Sequence, residues 1–247
     1  MKAIKRTMLD KVVYTSNVAA LAAAMEALAE RSPSQPGVVL VHGETGFGKT
    51  IGARHLAVRD DALFVTAMPF WSPHAMLSKL MQELHRAPRP RTAAMFDEIA
   101  RELVARPRAI FLDEADCIAD KQELIETLRI LHDLTGIPLV IAGMAEFSKK
   151  LYRRPQLARR VQYEIQFKPL SGADARKIAL ERCEYRIADD LIEALNRRVQ
   201  GSAGLLVNEL ERAERFARKN STNVLSFADY RERLGGYAES RRKAREG

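Results

Sequence analysis

Residues 38–50 read VVLVHGETGFGKT, and this stretch decides the fold. An apolar run of strand type, residues 38–41, leads directly into G-x-x-x-x-G-K-T, and a helical pattern begins at Lys49. Glycines let backbone N–H groups turn inward around phosphate oxygens, and a helix N-terminus adds partial positive charge. The pattern therefore predicts a phosphate-binding loop between a strand and a helix.

The residues of this loop have separate expected roles in binding ATP and Mg²⁺. Lys49 is expected to reach the β and γ phosphates, and the Thr50 hydroxyl is expected to bind Mg²⁺. A glycine-rich turn with a chance lysine is the alternative, and the strand before the loop and the helix after it argue against that alternative. The predicted nucleotide-binding residues are Gly43, Glu44, Thr45, Gly46, Phe47, Gly48, Lys49, Thr50 and Ile51.

A second apolar run, residues 109–112, ends in the acids Asp113 and Glu114. A carboxylate at a strand end can hold Mg²⁺, and a neighbouring glutamate can orient or deprotonate the water that attacks the γ-phosphorus. Strands often end in acids, so this signal is weak alone and strong beside a phosphate-binding loop. We therefore predict Asp113 as a Mg²⁺ ligand and Glu114 as the catalytic base. Asp116 is expected to be a solvated or helix-capping acid.

The order of strand and helix patterns predicts an α/β fold. Strands are predicted near residues 38–42, 63–67, 109–112, 138–142 and 162–167, and helices begin near Lys49, Pro73, Ala93 and Lys121. This alternation is expected of a parallel sheet with helices on both faces. After Pro169 only helical patterns follow, from Ser171, Asp189, Gly204 and Ser226. The predicted division is an N-terminal helical segment 1–36, an α/β core 37–169, a small helical domain 170–235 and a basic tail 236–247.

These motifs, with an arginine-rich segment before the last strand and a helical region after it, resemble AAA+ ATPases, and more particularly the transposition ATPases of the phage Mu B family. The resemblance covers residues 12–234 and implies an AAA+ P-loop core followed by an all-α lid. It also implies ATP held between subunits, with an arginine of the neighbour stabilising the transferred phosphoryl group. The pattern LARRV at 157–161 favours Arg160 for that role, with Arg159 and Arg154 as alternatives. Each of these arginines could equally contact DNA phosphates or solvent.

Two departures from the AAA+ pattern bear on hydrolysis. The strand at 139–144 lacks the polar residue that usually ends the fourth strand and helps to position the attacking water. Leu206 or Val207 stands where the lid helix often carries an arginine that senses the γ-phosphate. We therefore expect a slow ATPase, converting ATP and water to ADP and phosphate, that depends on DNA and on neighbouring subunits.

The charge balance of the chain is basic. Its 247 residues include 40 Lys and Arg against 32 Asp and Glu, a net charge of +8, and 47% are apolar. The apolar share excludes intrinsically disordered classes, and two cysteines cannot staple a disulfide scaffold. Six basic residues and no acid fall in 149–160, and three arginines fall in 86–91. A basic balance favours polyanionic partners, chiefly nucleic acid.

The basic segments predict contacts with the phosphate backbone of double-stranded DNA. No base-reading helix stands out, so binding is expected to be largely independent of sequence. The predicted DNA contacts are Lys79, Arg86, Arg89, Arg91, Lys149, Lys150, Arg153 and Arg154. Phe70 and Trp71 could stack on bases, but packing under the following helix is the favoured interpretation.

The remaining residue types indicate the compartment. Cys117 and Cys183 have no metal-ligand or redox spacing, so free thiols in a reducing cytoplasm are expected. His42 and His132 lack ligand partners in spacing, so a metal role is not expected. The apolar stretch 18–29 is too short to span a bilayer, so no membrane association is expected.

The leading hypothesis is an ATP-dependent AAA+ protein of bacteriophage type that acts in DNA transposition. It would assemble on DNA as a helical filament of identical subunits and deliver target DNA to a transposase for recombination. One alternative is another ATPase of DNA metabolism, such as a helicase loader or a replication initiator. A second alternative is a nucleotide-gated structural protein that coats DNA, in which hydrolysis is vestigial.

Overall fold

The computed structural model describes residues 8–9, 11–32, 35–220 and 222–231. Contacts between residues divide the chain into two compact units. The α/β unit comprises Asn17–Lys168, and the helical unit comprises the described residues of Met1–Ser16 and Pro169–Gly247. The division into four segments stays a prediction, and the expected basic tail, residues 236–247, lies outside the described residues.

The α/β unit is built on a five-stranded parallel sheet flanked by helices. Its elements are α1 (Ser16–Ala29), β1 (Val38–His42), α2 (Lys49–Arg59), β2 (Leu63–Thr66), α3 (Pro73–Glu83), α4 (Thr92–Ala105), β3 (Ile110–Asp113), α5 (Gln122–Thr135), β4 (Leu139–Gly143), α6 (Ala145–Tyr152), α7 (Pro155–Ala158) and β5 (Val161–Gln166). A 3-10 turn over Ala115–Ile118 follows β3. The strand order is β2-β3-β4-β1-β5, and every pair is parallel. All five strands therefore end at the same edge of the sheet, and we call it the carboxyl edge.

Burial along the strands explains this arrangement. Every residue of β3 and β4 is buried, as are the first four residues of β1. Such continuous apolar strands require cover on both faces of the sheet. The edge strand β5 alternates between half-buried and exposed residues, so only one of its faces is covered.

The predicted fold class is confirmed: the α/β unit has the parallel sheet that the strand and helix patterns indicated. All five predicted strands are present, with bounds that differ by one residue at most. The helices α2, α3, α4 and α5 likewise begin within one residue of their predicted starts. The sequence did not predict α6 and α7, because elements of eight and four residues leave little periodic signal.

The helical unit contains four helices and one short strand pair in its described part. The last helix begins at residue 227, one residue after its predicted start at Ser226. Three helices and the strand pair precede it. These elements are α8 (Gly172–Arg182), β6 (Arg186–Ile187), α9 (Asp189–Arg198), α10 (Ala203–Lys219) and β7 (Val224–Leu225). Helix α8 begins as the Ser-x-x-Asp pattern predicts, because the Ser171 hydroxyl accepts a hydrogen bond from the backbone N–H of Asp174. Leu191, Leu195 and Leu206 are fully buried in its core.

Candidate nucleotide-binding site and basic surfaces

The loop between β1 and α2 has the backbone that phosphate binding requires. Gly43, Gly46 and Gly48 have φ angles of 149°, 89° and 94°, which glycine adopts readily and side chains oppose. A Cβ atom on Gly43 would lie only 2.4 Å from the carbonyl oxygen of Phe167. The glycine spacing in the sequence therefore corresponds to real conformational requirements, and α2 begins directly after Gly48.

Lys49 is the first residue of α2 and folds back over the loop. Its Nζ donates hydrogen bonds to the carbonyl oxygens of Gly43, at 2.6 Å, and Glu44, at 3.0 Å. Burial lowers the pKa of Lys49, and the charges of Glu114 and Asp113 oppose that shift. The ammonium group therefore lies in the field of both acids at the end of β3.

Asp113 ends β3 at the carboxyl edge with its side chain in the interior. It is 2% exposed, and its Oδ2 atom is buried without a hydrogen-bond partner among the described residues. An unsatisfied buried carboxylate oxygen is costly unless a cation or another donor binds it. Thr50 lies in the first turn of α2, and Mg²⁺ prefers oxygen ligands from one or two side chains together with substrate phosphates. Asp113 and Thr50 therefore fit a Mg²⁺ ion.

Glu114 follows Asp113 in an unusual backbone conformation. Its φ and ψ are 55° and 38°, in the left-handed region that residues other than glycine rarely adopt. Strain of this kind concentrates at functional sites, where the surrounding structure maintains it. The residue is exposed. The chain reversal at Glu114 thus separates the buried Asp113 from a glutamate that is open to solvent.

Asp116 secures the end of β4. Its Oδ2 accepts a hydrogen bond of 2.7 Å from the backbone N–H of Met144, the residue before α6. A Cβ atom on Gly143 would lie 2.9 Å from the same oxygen. The helix-capping interpretation of Asp116 agrees with this contact. The contact also gives a steric reason why β4 ends without a polar side chain.

His42, the last residue of β1, belongs to a polar cluster that the sequence did not reveal. Its Nε2 lies 3.0 Å from Glu164 on β5, and the hydroxyls of Ser148 and Tyr152 on α6 each donate to the same carboxylate at 2.8 Å. Burial raises the pKa of Glu164, but these hydrogen bonds lower it by more. Burial and the Glu164 contact raise the pKa of Tyr152 to about 12. The cluster ties the start of the phosphate loop to α6.

The arginine-rich segment is held by acids and carbonyls of its own subunit. Arg160 binds both carboxylate oxygens of Asp133 on α5, with Nε at 2.6 Å and Nη2 at 2.7 Å. This hydrogen bond raises the pKa of Arg160. Arg154 donates to the carbonyl of Ala119 at 2.7 Å. Arg159 is exposed, and its side chain has no polar partner in the described part of the chain. The arginine that the sequence pattern favoured is thus the most firmly paired of the three.

The first basic cluster, Lys79 on α3 and Arg86, Arg89 and Arg91 after it, is largely neutralised. Ion pairs join Lys79 to Glu83 at 2.9 Å, Arg86 to Glu102 at 3.0 Å, and Arg89 to Glu98. Arg91, which precedes α4, is exposed. Exposed ion pairs are weak because solvent screens them, so DNA could displace them. The cluster nevertheless carries less free positive charge than its arginines suggest, because Glu98 and Glu102 pair with two of them. The count of charges in segment 86–91 did not show this, because both glutamates come later in the sequence.

The second basic segment opens onto a pocket. We call it the α6–α7 pocket; it has a volume of about 690 Å³ and is lined by Ala119, Asp120, Gln122, Glu126, Lys150, Arg153, Arg154, Pro155, Gln156 and Arg159. Lys150 forms an ion pair of 2.7 Å with Asp120. Lys149 is exposed beside it. The structure thus brings three predicted DNA contacts, Lys150, Arg153 and Arg154, to one cavity. Two of the three finger candidates, Arg154 and Arg159, line it as well.

Phe70 and Trp71 lie in different environments. Trp71 is 7% exposed and packs in the core of the α/β unit, as the favoured interpretation predicted. That interpretation is wrong for Phe70, which is 80% exposed. The reason is local: the two residues lie in the turn between β2 and α3, where the chain reverses and adjacent side chains face opposite ways.

The remaining candidate positions show no further site. Leu206 is fully buried in the core of the helical unit, and Val207 packs against that core, so neither side chain binds phosphate. His132 is buried with its Nδ1 at 2.6 Å from the carbonyl of Ile137. In the described ranges, no group of three His, Cys, Asp or Glu residues is placed to hold a metal, and no helix is long and apolar enough to cross a membrane.

Comparison with known proteins relates this geometry to one fold. Residues 30–151 match the family model described as an AAA domain. Cdc6p from Pyrobaculum aerophilum has a similar structure, with a TM-score of 0.65, 20% identity, 91% of this chain covered and 68% of that chain. The Orc1 protein of Aeropyrum pernix in complex with DNA is similar with a TM-score of 0.61 and 19% identity, and the match covers 86% of this chain and 62% of that chain. Drosophila ORC bound to DNA is similar with a TM-score of 0.56 and 14% identity, and the match covers 88% of this chain and 58% of that chain.

This chain spans less than two thirds of the length of the second and third of these chains. No curated protein sequence matches. At identities of 20% and below, these likenesses establish the fold and leave activity to be argued from the site. The chain therefore has the AAA+ P-loop fold, and residues 30–151 match the model of an AAA domain.

Proposed function

We propose that this chain binds and hydrolyses ATP with Mg²⁺, and that it binds double-stranded DNA with little sequence preference. The first part rests on the convergence of Lys49, Asp113 and Glu114, whose charges act on one another at the carboxyl edge of the sheet. An ammonium group on a glycine loop, an unsatisfied buried carboxylate and an exposed glutamate are the groups that phosphoryl transfer to water requires.

Each residue has a role that follows from its position. Lys49 would exchange its hydrogen bonds with the Gly43 and Glu44 carbonyls for phosphate oxygens. Thr50 and Asp113 would hold Mg²⁺, which supplies charge neutralisation at the β and γ phosphates. Glu114, which is open to solvent, would orient the attacking water and accept its proton.

An arginine of a neighbouring subunit would complete this site. Arg160 was favoured by the sequence pattern, but two of its guanidinium nitrogens already bind Asp133. Arg154 is also engaged, through the Ala119 carbonyl. We therefore place Arg159 first for this role. In this arrangement, ATP binding would stabilise contacts between subunits.

The DNA-binding part has two supports. The first is the concentration of basic residues at the α6–α7 pocket. The second is the similar fold of two proteins whose structures were solved with DNA, Orc1 and ORC. This likeness favours a replication initiator or helicase loader over a transposition ATPase. The transposase partner, the helical filament and the phage setting rest on the sequence resemblance alone.

The test of the ATPase proposal is Glu114→Gln. The variant is expected to bind a fluorescent ATP analogue as the wild type does, and to lose about 10²-fold or more of its DNA-stimulated hydrolysis. Glu123→Gln, on the exposed face of α5, is the matched control. Equal hydrolysis by Glu114→Gln and the control would remove Glu114 from the mechanism. Failure of the wild type to bind the analogue would remove the proposal as a whole.

Electron microscopy with ATP and duplex DNA distinguishes the types of DNA-metabolism ATPase. An open filament would favour target selection in transposition, and a closed ring or partial ring would favour an initiator or loader. If filaments of Glu114→Gln release DNA as readily as filaments of the wild type, a structural coat in which hydrolysis has no role is favoured.

A further inference from the structure

The α6–α7 pocket has an uneven distribution of charge. Among its lining residues, Lys150, Arg153, Arg154 and Arg159 are basic and Asp120 and Glu126 are acidic. Glu126 is held by Arg129 on the same helix at 2.8 Å. Arg154 is committed to a backbone carbonyl. The groups that can change partners are therefore Asp120, Lys150, Arg153 and Arg159.

Asp120 differs from the other acids near this segment. The side chains of Asp133 and Glu126 are 30% and 26% exposed and belong to a network with Arg129 and Arg160. The Asp120 side chain is 80% exposed and pairs with Lys150 alone. The hydrogen bond from Lys150 lowers the pKa of Asp120, so it is ionised at neutral pH. Nothing structural depends on this pair, because an ion pair in solvent is weakly held.

The Arg153 side chain lines the same pocket and has no polar partner in the described ranges. It is the C-cap residue directly after α6, about one turn beyond Lys149 and Lys150. Arginine binds phosphate through two parallel N–H donors, and a phosphate offers more acceptor oxygens than a carboxylate. A phosphate at this position could therefore bind Arg153 and take Lys150 from Asp120.

We propose that Lys150 and Arg153 form a binding site for one phosphate of the DNA backbone, and that Asp120 occupies this site as an internal competing anion when DNA is absent. This inference rests on the proposed DNA binding and adds its residues and its regulation. Exposed Lys149 extends the positive surface beyond the pocket, as a continuous polyanion requires and a single small anion does not. Arg159 also lines this cavity, and we leave it for the neighbouring subunit.

The test is the salt dependence of duplex binding by Asp120→Asn. Each neutralised phosphate contributes about 0.9 to the slope of log K against log salt concentration. Asp120→Asn lacks the competing carboxylate, so its slope is expected to be steeper than that of the wild type by up to about 0.9. The ratio of its DNA affinity to that of the wild type would then grow by up to about 3.5-fold when salt is lowered from 200 to 50 mM. Lys150→Gln/Arg153→Gln is expected to flatten the slope by about 0.9.

Asp61→Asn is the matched control, because Asp61 is also an exposed acid paired with arginines, Arg106 and Arg108, and does not line the pocket. If Asp120→Asn and Asp61→Asn bind DNA alike, the proposed phosphate site is wrong while DNA binding itself stands. If Asp120→Asn changes ATP-driven assembly with an unchanged salt slope, the site belongs to a subunit contact and the proposal is overturned. If the wild type does not bind duplex DNA, both the proposed DNA binding and this inference fail.

Discussion

The phosphate loop and the arginine-rich segment 149–160 lie in the same unit, but different interactions set their geometry. In the loop, Gly43, Gly46 and Gly48 determine the backbone locally. In the segment, Arg160 depends on Asp133, 27 residues earlier, and Lys150 depends on Asp120, 30 residues earlier. A glycine motif thus specifies its own conformation, whereas a run of basic residues acquires its function from acids that folding brings to it.

The largest expected effect distinguishes two adjacent arginines of that segment. Arg159→Gln is expected to lower DNA-stimulated hydrolysis by about 10³-fold, the lower end for an arginine supplied by a neighbouring subunit. Arg160→Gln is expected to retain most activity, because its guanidinium is already engaged by Asp133. Phosphate release at saturating DNA measures both, with binding of an ATP analogue as the control for folding. The reverse order would restore Arg160 to the role that the sequence pattern gave it.

The same contrast explains what could be predicted from the sequence. The strands, the loop and the acids after β3 were predictable, because periodicity, glycine spacing and adjacency in the chain carry them. The pairing of Arg160 with Asp133, and of Arg86 with Glu102, could not be predicted, because each joins residues on different elements. The close approach of Asp116 to Gly143 and the contact of Glu164 with His42 could not be predicted either, since both depend on how neighbouring strands align.

The next largest effect concerns the phosphate loop. Lys49→Ala is expected to weaken binding of an ATP analogue by about 10- to 150-fold, since a hydrogen bond to a charged group contributes about 1.5–3 kcal/mol. Fluorescence titration measures it. Lys79→Ala is the control, because Lys79 pairs with Glu83 on the surface of α3. Equal losses in both variants would show that general charge attracts the nucleotide, and the loop would then lose its special role.

A smaller effect compares the two basic regions directly. Arg86→Gln/Arg89→Gln removes the same charge as Lys150→Gln/Arg153→Gln, but it removes arginines that already bind Glu102 and Glu98. The salt slope of duplex binding by Arg86→Gln/Arg89→Gln is expected to change by less than half of the change of about 0.9 expected for Lys150→Gln/Arg153→Gln. Measurements at several salt concentrations decide this. A larger change from the first pair would make the region after α3 the principal DNA surface.

The smallest expected effect lies in the stability of the segment and its dependence on pH. Arg160→Gln is expected to destabilise the α/β unit by up to about 1 kcal/mol at pH 7, and Arg159→Gln by less than about 0.5 kcal/mol. Urea unfolding followed by fluorescence reports on this unit, because Trp71 is the only tryptophan of the sequence and packs in its core.

The sign of the pH dependence follows from Asp133. Burial raises the pKa of Asp133, but the hydrogen bond and charge of Arg160, with further help from Arg129, lower it by more, so the native pKa lies below the usual value. A lowered native pKa gives stability that is present above the unfolded pKa, about 3.9 for aspartate, and is lost as pH falls through the native value. The wild type should therefore lose more stability than Arg160→Gln between pH 5 and about 2, and the two curves should converge in acid. Parallel curves would mean that Arg129 alone holds the Asp133 carboxylate, and that Arg160 is free to serve a neighbouring subunit.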